Sequence, residues 1–132
     1  MKSLSTKLGI WPNDQLLAIN PDTKILDQIR GEHKGGVTIL TEPPAAGKIP
    51  LILIWLREGD DATALANTFK QMIDKIGQLW FFFPKREFMR KHQLTITRET
   101  LLRDVSHAKM EMTKLCSINA QTQAMGFALP LG

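Results

Sequence analysis

Two short runs of this chain are apolar at every position rather than at alternate positions. Leu51 to Leu56 has the sequence LILIWL, and Leu79 to Phe83 has the sequence LWFFF. A strand with one face in water alternates apolar and polar residues, whereas a strand covered by helices on both faces is apolar throughout. The two runs therefore predict buried parallel strands of an α/β domain, with Leu51 to Leu56 as the central strand.

Shorter apolar segments predict the remaining strands of the sheet. Gln15 to Asn20 and Val37 to Thr41 are predicted as the first and second strands, because each is rich in apolar residues and is followed by a proline turn. Lys114 to Asn119 and Ala124 to Leu129 are predicted as two closing strands. A short polar turn around residues 121–123 separates them, which favours an antiparallel hairpin.

Three segments with helical spacing of apolar residues are predicted to cover the sheet. The first begins at Asp22 or Thr23 and stops at Gly31, since these are good capping and stop residues. The second begins at Asp60 or Asp61 and ends at Gly77, with Leu65, Phe69, Met72, Ile73 and Ile76 on one stripe. The third begins after Thr97 as the N-cap, with Leu101, Leu102, Val105, Ala108 and Met112 on its apolar face.

The alternation of strands and helices predicts the fold class. Right-handed crossovers between parallel strands give a Rossmann-like three-layer sandwich. We expect about six mainly parallel strands with a C-terminal antiparallel hairpin. A length of 132 residues suits one domain, so residues 1–132 are predicted to form a single α/β domain.

Several classes of protein are disfavoured by composition. The longest apolar stretch, Ile49 to Leu56, is far shorter than the roughly 20 residues that a bilayer span needs, and the N-terminus lacks the features of a signal peptide. We therefore expect a cytoplasmic protein with no membrane contact. The single Cys116 cannot form an internal disulfide, and the three histidines lack metal-ligand spacing, so no metal is predicted.

Motifs for nucleotide binding and for nucleophilic catalysis are missing. The first strand leads into Asn20-Pro21-Asp22 instead of a glycine-rich turn, and Gly47-Lys48 precedes a strand where a phosphate-binding loop needs a helix. The sequence contains no GxSxG elbow, and Cys116 lies within a predicted strand. No catalytic residue and no cofactor are predicted from motifs.

Polar residues that follow the predicted strands are the first candidates for a site. In a doubly wound sheet the ligand crevice lies at the carboxyl ends of the strands. Asn20 and Asp22 follow the first strand, Glu42 follows the second, and Arg57 follows the third. We predict that these four residues line a crevice, although polar residues and prolines end strands in most proteins.

One basic loop, residues 85–92, holds most of the net charge of +4. It carries Lys85, Arg86, Arg90 and Lys91 against a single glutamate. These four cations are predicted to bind an anion such as a phosphate, with Phe88 as a stacking surface. The alternative is a solvated loop that keeps the protein soluble.

Short motifs in a fixed order suggest a family. They are Lys7-Leu8-Gly9-Ile10, Leu79-Trp80 before Pro84-Lys85, Leu94-Thr95 with Thr97-Arg98, Lys114-x-Cys116-x-Ile118, and Gly126-Phe127. Their order resembles an uncharacterised bacterial family of small methyltransferase-like (Rossmann-like) domains of unknown function, over about residues 6 to 130. Residues 119–122 depart from it, because the family has an acidic residue and a tryptophan there. The resemblance implies the fold and no activity.

Three hypotheses for function follow from these observations. The first is a non-catalytic α/β domain that binds a small anionic molecule or a protein partner; nucleic acid ranks lower because the net charge of +4 is modest. The second is a degenerate or minimal S-adenosylmethionine-dependent methyltransferase-like enzyme, motivated by the acidic residues Asp22 and Glu42 at the first two strand ends; Glu42, after the second strand, could accept hydrogen bonds from a ribose. The third is a structural subunit that forms a homodimer through an exposed sheet edge.

Overall fold

The computed structural model describes residues 3–33, 36–45, 47–91, 94 and 96–130. Thr95, which was named above, and His92, the last residue of the predicted basic loop, lie outside the described residues. The helices are α1 (Leu4–Leu8), α2 (Thr23–Glu32), α3 (Ala62–Phe69) and α4 (Arg98–His107). The strands are β1 (Gln15–Ile19), β2 (Thr38–Leu40), β3 (Ile49–Trp55), β4 (Ile73–Pro84), β5 (Glu111–Ser117) and β6 (Thr122–Ala128).

The six strands form one sheet in the order β2-β1-β3-β4-β6-β5. The pairs β1–β2, β1–β3 and β3–β4 are parallel, and β6 is antiparallel to both β4 and β5. The predicted Rossmann-like sheet with a C-terminal antiparallel hairpin is therefore confirmed. The two hairpin strands are not added in chain order, because β6 lies between β4 and β5 and β5 forms the edge of the sheet. Strand order reverses at β1, with β2 on one side of it and β3 on the other.

Apolar side chains pack on both faces of the sheet, which explains the two runs without alternation. On one face, Ile52 and Phe81 belong to a buried cluster with residues of α3 and α4. On the other face, Leu53 and Phe82 belong to a second cluster with residues of α1 and α2. Successive residues of β3 and β4 thus enter different clusters, and each must be apolar.

The predicted end of the second helix is wrong. Helix α3 stops at Phe69, a 3-10 turn covers Lys70–Met72, and β4 begins at Ile73. Ile73 pairs with Ile49 and is buried, whereas Ile76 is 93% exposed. The helical stripe in the sequence was misleading, because pairing with β3 sets the conformation of this segment.

Gly77 lies inside β4 rather than at a helix end. The pairing of β3 with β4 shifts register between Ile49 and Leu51, and Gly77 lies beside this irregularity. A Cβ atom on Gly77 would stand 2.7 Å from the carbonyl oxygen of Pro50. The glycine therefore permits a close approach of two strand backbones.

For α2 and α4, the predicted N-terminal ends agree with the structure, but the predicted end of α2 and the predicted apolar face of α4 do not. Asp22 caps α2, and Thr97 forms a capping box with Thr100 at the start of α4. Helix α2 continues through Gly31 to Glu32, so the predicted stop is early. On α4, Leu102 is exposed, and Met112 belongs to β5 and is exposed too, so neither joins the predicted apolar face. Lys109 ends this segment with a φ of 63° that turns the chain toward β5.

The hairpin turn lies earlier than predicted. Thr122 and Gln123 belong to β6, and Gln123 is buried. The Asn119 side-chain oxygen accepts hydrogen bonds from the backbone N–H groups of Gln121 and Thr122, at 2.9 Å each. This local side-chain turn reverses the chain before residue 122.

Helix α1 was not predicted from the sequence. Its apolar residues Leu4 and Leu8 are buried against the sheet. The Glu32 carboxylate at the end of α2 accepts hydrogen bonds from the backbone N–H groups of Leu4 and Ser5, at 3.2 Å and 2.8 Å. A five-residue helix is unstable alone, so these distant contacts hold it.

Glu32 should make stability depend on pH. Burial acts to raise the pKa of Glu32, but hydrogen bonds from Ser5, Gln28 and Leu4 outweigh this effect and hold the pKa below its usual value. A lowered pKa stabilises the folded state above the unfolded-state pKa of about 4.3, and this contribution is lost as the pH falls through the folded-state pKa.

We expect Glu32→Gln to lower the free energy of unfolding at neutral pH by about 0.5–1 kcal/mol, because solvent weakens charged hydrogen bonds at an exposed position. Urea denaturation of both proteins between pH 3 and pH 7 should show the difference shrinking at the acidic end. Asp27→Asn, an exposed change on the same helix, is the control. A difference that stays constant across this range would contradict the assignment.

No helix in the described ranges is both long and apolar enough to cross a membrane.

Candidate functional site

A crevice opens at the carboxyl ends of β1, β3 and β4. It has a volume of about 280 Å³, and its lining includes Asp22, Trp55, Arg57 and Glu58. The crevice adjoins the point between β1 and β3 where strand order reverses, at which doubly wound folds bind their ligands. We call it the switch-point crevice.

The turn after β1 is built without glycine. Asn20 has a φ of 55°, a left-handed conformation that asparagine tolerates better than most residues. Asp22 then caps α2, and its Oδ1 accepts hydrogen bonds from the N–H groups of Lys24 and Ile25, at 2.9 Å and 3.4 Å. The first N–H groups of α2 are therefore satisfied by the chain itself and do not form an open phosphate cradle. Within the described part of the chain, Oδ2 of Asp22 has no partner.

Trp55 lines this crevice and is largely buried. Its ring is 8% exposed and stacks on Phe82, with ring centroids 4.2 Å apart and an interplanar angle of 16°. The indole Nε1 is buried and has no partner among the described residues. A buried donor without a partner costs about 1–3 kcal/mol.

The four predicted crevice residues are only partly brought together. Asp22 and Arg57 line the switch-point crevice, as expected from their positions after β1 and β3. Arg57 is partly neutralised, because its Nε lies 4.0 Å from a carboxylate oxygen of Asp60. Glu42 is exposed after β2, and Asn20 is half-buried; neither is among the residues that line this crevice.

The basic loop lines a second and larger cavity of about 940 Å³. Lys85, Arg86 and Arg90 line it, together with Arg98 from α4, and their role as anion ligands stays a prediction. Lys91 is exposed and is not among its lining residues. Phe88 is half-buried and does not line it either, so the predicted stacking surface is not placed there. We call this space the basic cavity.

Arg98 and Gln123 are site residues that the reading of the sequence missed. Gln123 is 5% exposed; its Oε1 accepts a hydrogen bond from Nε of Arg98 at 2.8 Å, and its Nε2 donates to the Pro84 carbonyl at 3.1 Å. One signal was present in the sequence. Thr97 is a good N-cap, which puts Arg98 in the first helical turn, where the helix dipole disfavours a cation.

The crevice and the basic cavity are neighbours with different charge. Leu94 lines both of them. The switch-point crevice has two carboxylates, Asp22 and Glu58, against one arginine. The basic cavity has four cations against two glutamates. The carboxyl edge of the sheet therefore offers a weakly negative crevice beside a positive one.

The remaining candidate for chemistry is a weak nucleophile. Burial raises the pKa of the Cys116 thiol, although the nearby Lys114 and Lys7 oppose this effect. A raised pKa keeps the thiol protonated at neutral pH and therefore poorly reactive. Over the described residues, no cluster of three or more histidine, cysteine or acidic side chains could hold a metal ion.

Comparison with solved structures identifies the fold. A TehB-like S-adenosylmethionine-dependent methyltransferase from Corynebacterium glutamicum matches with a TM-score of 0.57 and 8% identity, covering 98% of this chain and 89% of that chain. The N-methyltransferase NodS from Bradyrhizobium japonicum matches with a TM-score of 0.57 and 13% identity, covering 98% and 90%. A chain from the complex between the Haloferax volcanii Trm112 methyltransferase activator and a methyltransferase matches with a TM-score of 0.65 and 8% identity, covering 98% and 87%.

The chain thus has a methyltransferase-like Rossmann fold, and this part of the family resemblance is confirmed. No protein-family model and no curated protein matches the sequence. Membership of the bacterial family stays a prediction. At these identities the comparisons define the fold alone.

Proposed function

We propose that this domain is a minimal methyltransferase-like enzyme that binds S-adenosylmethionine in the switch-point crevice. Of the three hypotheses, we therefore favour the methyltransferase-like enzyme over the non-catalytic binding domain. The observation that carries it is a weakly negative crevice at the point where strand order reverses. S-adenosylmethionine carries a sulfonium cation, which favours a lining with an excess of carboxylates.

The residues around the crevice fit such a ligand. S-adenosylmethionine contains no phosphate, so the occupied N-terminus of α2 is no obstacle to its binding. Oδ2 of Asp22, which has no partner among the described residues, can accept a hydrogen bond from a ribose hydroxyl. A volume of about 280 Å³ suits the nucleoside part of the molecule. When bound, S-adenosylmethionine supplies an electrophilic methyl group.

Binding of S-adenosylmethionine tests the proposal directly. We expect calorimetric titration to detect binding, and Asp22→Asn to weaken it by about tenfold, equivalent to about 1.4 kcal/mol. Asparagine caps helices as well as aspartate does, so this variant removes the charge and keeps the turn.

The matched control is Asp74→Asn, which removes the same charge near the start of β4, at the amino end of the parallel strands. It should leave the affinity unchanged. The proposal is wrong if the wild-type protein binds no S-adenosylmethionine at millimolar concentration. Equal weakening by the two variants would rule out the crevice as the binding site. Glu42→Gln tests in the same way whether Glu42 contacts the ribose.

A protein partner is compatible with this proposal. The Haloferax methyltransferase of the comparison stands in a complex with its activator. Homodimerisation through an exposed sheet edge stays a prediction from the sequence, which sedimentation at several concentrations would test. The edge strands of the observed sheet are β2 and β5.

A further inference from the structure

We propose that the basic cavity recognises a phosphate group on the substrate of this enzyme, and that Arg98 is its principal phosphate ligand. The inference rests on the proposed function, because it assigns the substrate class of the proposed enzyme. Lys85, Arg86 and Arg90 come from the segment after β4, whereas Arg98 comes from α4. Two elements that meet only in the folded protein thus direct cations to one cavity, which a solvated loop alone would not do.

The cations of the basic cavity are available to a ligand. None of the salt bridges formed within the described ranges involves Lys85, Arg86, Arg90 or Arg98. The two glutamates of the lining, Glu87 and Glu99, offset only part of the charge. An anion would therefore find unpaired positive groups, and phosphate can accept several hydrogen bonds at once.

Arg98 is held in place by a buried side chain. Gln123 uses both ends of its amide, accepting from Nε of Arg98 and donating to the Pro84 carbonyl. This contact occupies Nε and leaves the two terminal nitrogens of the guanidinium for a bidentate contact with phosphate. The charge of Arg98 also lies in the first turn of α4, where the helix dipole is already positive, so an anion there would relieve an unfavourable interaction.

The phosphate is assigned to the substrate because S-adenosylmethionine, the methyl donor, contains no phosphate. The basic cavity is also large enough for a second molecule, with a volume of about 940 Å³ against about 280 Å³ for the crevice. Its lining includes Met89, Leu94 and Ile96, which favour an apolar body attached to the phosphate. Leu94 borders both spaces, so a molecule in the basic cavity would lie next to the crevice.

Calorimetric titration with phenyl phosphate, without S-adenosylmethionine and at low salt, tests the inference. We expect binding that weakens by about tenfold in Arg98→Gln, because a charged bidentate contact is lost. The affinity of Arg98→Lys for phenyl phosphate should lie between those of the wild-type protein and Arg98→Gln. Lysine keeps the positive charge but lacks the planar guanidinium that makes the bidentate contact. Lys91→Gln removes one charge from the same basic loop but outside the cavity lining, and it should leave the affinity unchanged.

Three outcomes would overturn the inference. One is no binding of phenyl phosphate to the wild-type protein. Another is equal weakening by Arg98→Gln and Lys91→Gln, which would indicate a diffuse charge effect. The last is displacement of phenyl phosphate by a short single-stranded oligonucleotide that binds more tightly with a steep salt dependence, which would indicate a nucleic-acid surface. Since S-adenosylmethionine is absent from this assay, failure of the substrate assignment and failure of the proposed function are observed separately.

Discussion

Replacing Trp80 by alanine is expected to lower the free energy of unfolding by about 3–5 kcal/mol, the usual cost of truncating a buried tryptophan. Trp80 is 1% exposed and lies in the cluster between the sheet and helices α1 and α2. Its indole Nε1 also donates a hydrogen bond to the Leu8 carbonyl at 3.1 Å. The variant loses both the packing and the link to α1, so little stability would remain in a domain of ordinary stability.

Urea denaturation followed by circular dichroism measures this loss. Trp80→Phe keeps most of the apolar contact and leaves the Leu8 carbonyl without its donor, so its cost should be about 1–2 kcal/mol. Trp11→Ala is the control, because Trp11 is exposed and its loss should cost less than about 0.5 kcal/mol. If Trp80→Ala and Trp11→Ala had the same stability, the packing described for α1 would be incorrect.

Gly77→Ala should be the second most damaging change, with a loss of about 1–3 kcal/mol. The new methyl group would meet the Pro50 carbonyl oxygen at 2.7 Å, and the contacted atom is backbone that cannot rotate away. Either β3 or β4 must therefore move at their register shift.

Gly31→Ala is the matched control for Gly77→Ala. Gly31 lies within α2, and a Cβ atom there would have no neighbour within 4 Å. Alanine should thus stabilise the helix by about 0.5–1 kcal/mol. Thermal unfolding of the two variants should shift in opposite directions, and a stabilising Gly77→Ala would refute the close approach.

The strands were predictable because burial on both faces leaves a local signature. The runs around Leu53 and Phe81 are apolar at every position, so the strands β3 and β4 and their parallel arrangement followed from the sequence. The end of α3 did not follow, because Ile73 and Ile76 fit a helical stripe equally well. Only the pairing of Ile73 with Ile49 decides between helix and strand, and that contact joins residues distant in the chain.

The candidate site was predictable to the extent that its residues follow strands or cluster in sequence. Asp22 and Arg57 were found because strand ends converge at one edge of a parallel sheet, and Lys85 and Arg86 because they are consecutive. Arg98 and Gln123 were missed, since their contact depends on how α4 and β6 meet. Helix α1 was missed for a similar reason, as Glu32 holds it from a remote position.

The insertion of β6 between β4 and β5 makes the basic cavity depend on correct packing of the C-terminal hairpin. The basic cavity needs the Pro84 carbonyl of β4 and the Gln123 amide of β6 in contact, so an intermediate that contains only β1 to β4 would lack it. The basic cavity is therefore complete only when the hairpin is packed against β4. A ligand that binds there acts as a clamp on the hairpin, and it would slow hydrogen exchange in β5 and β6 before it affected the strands on the other side of the sheet.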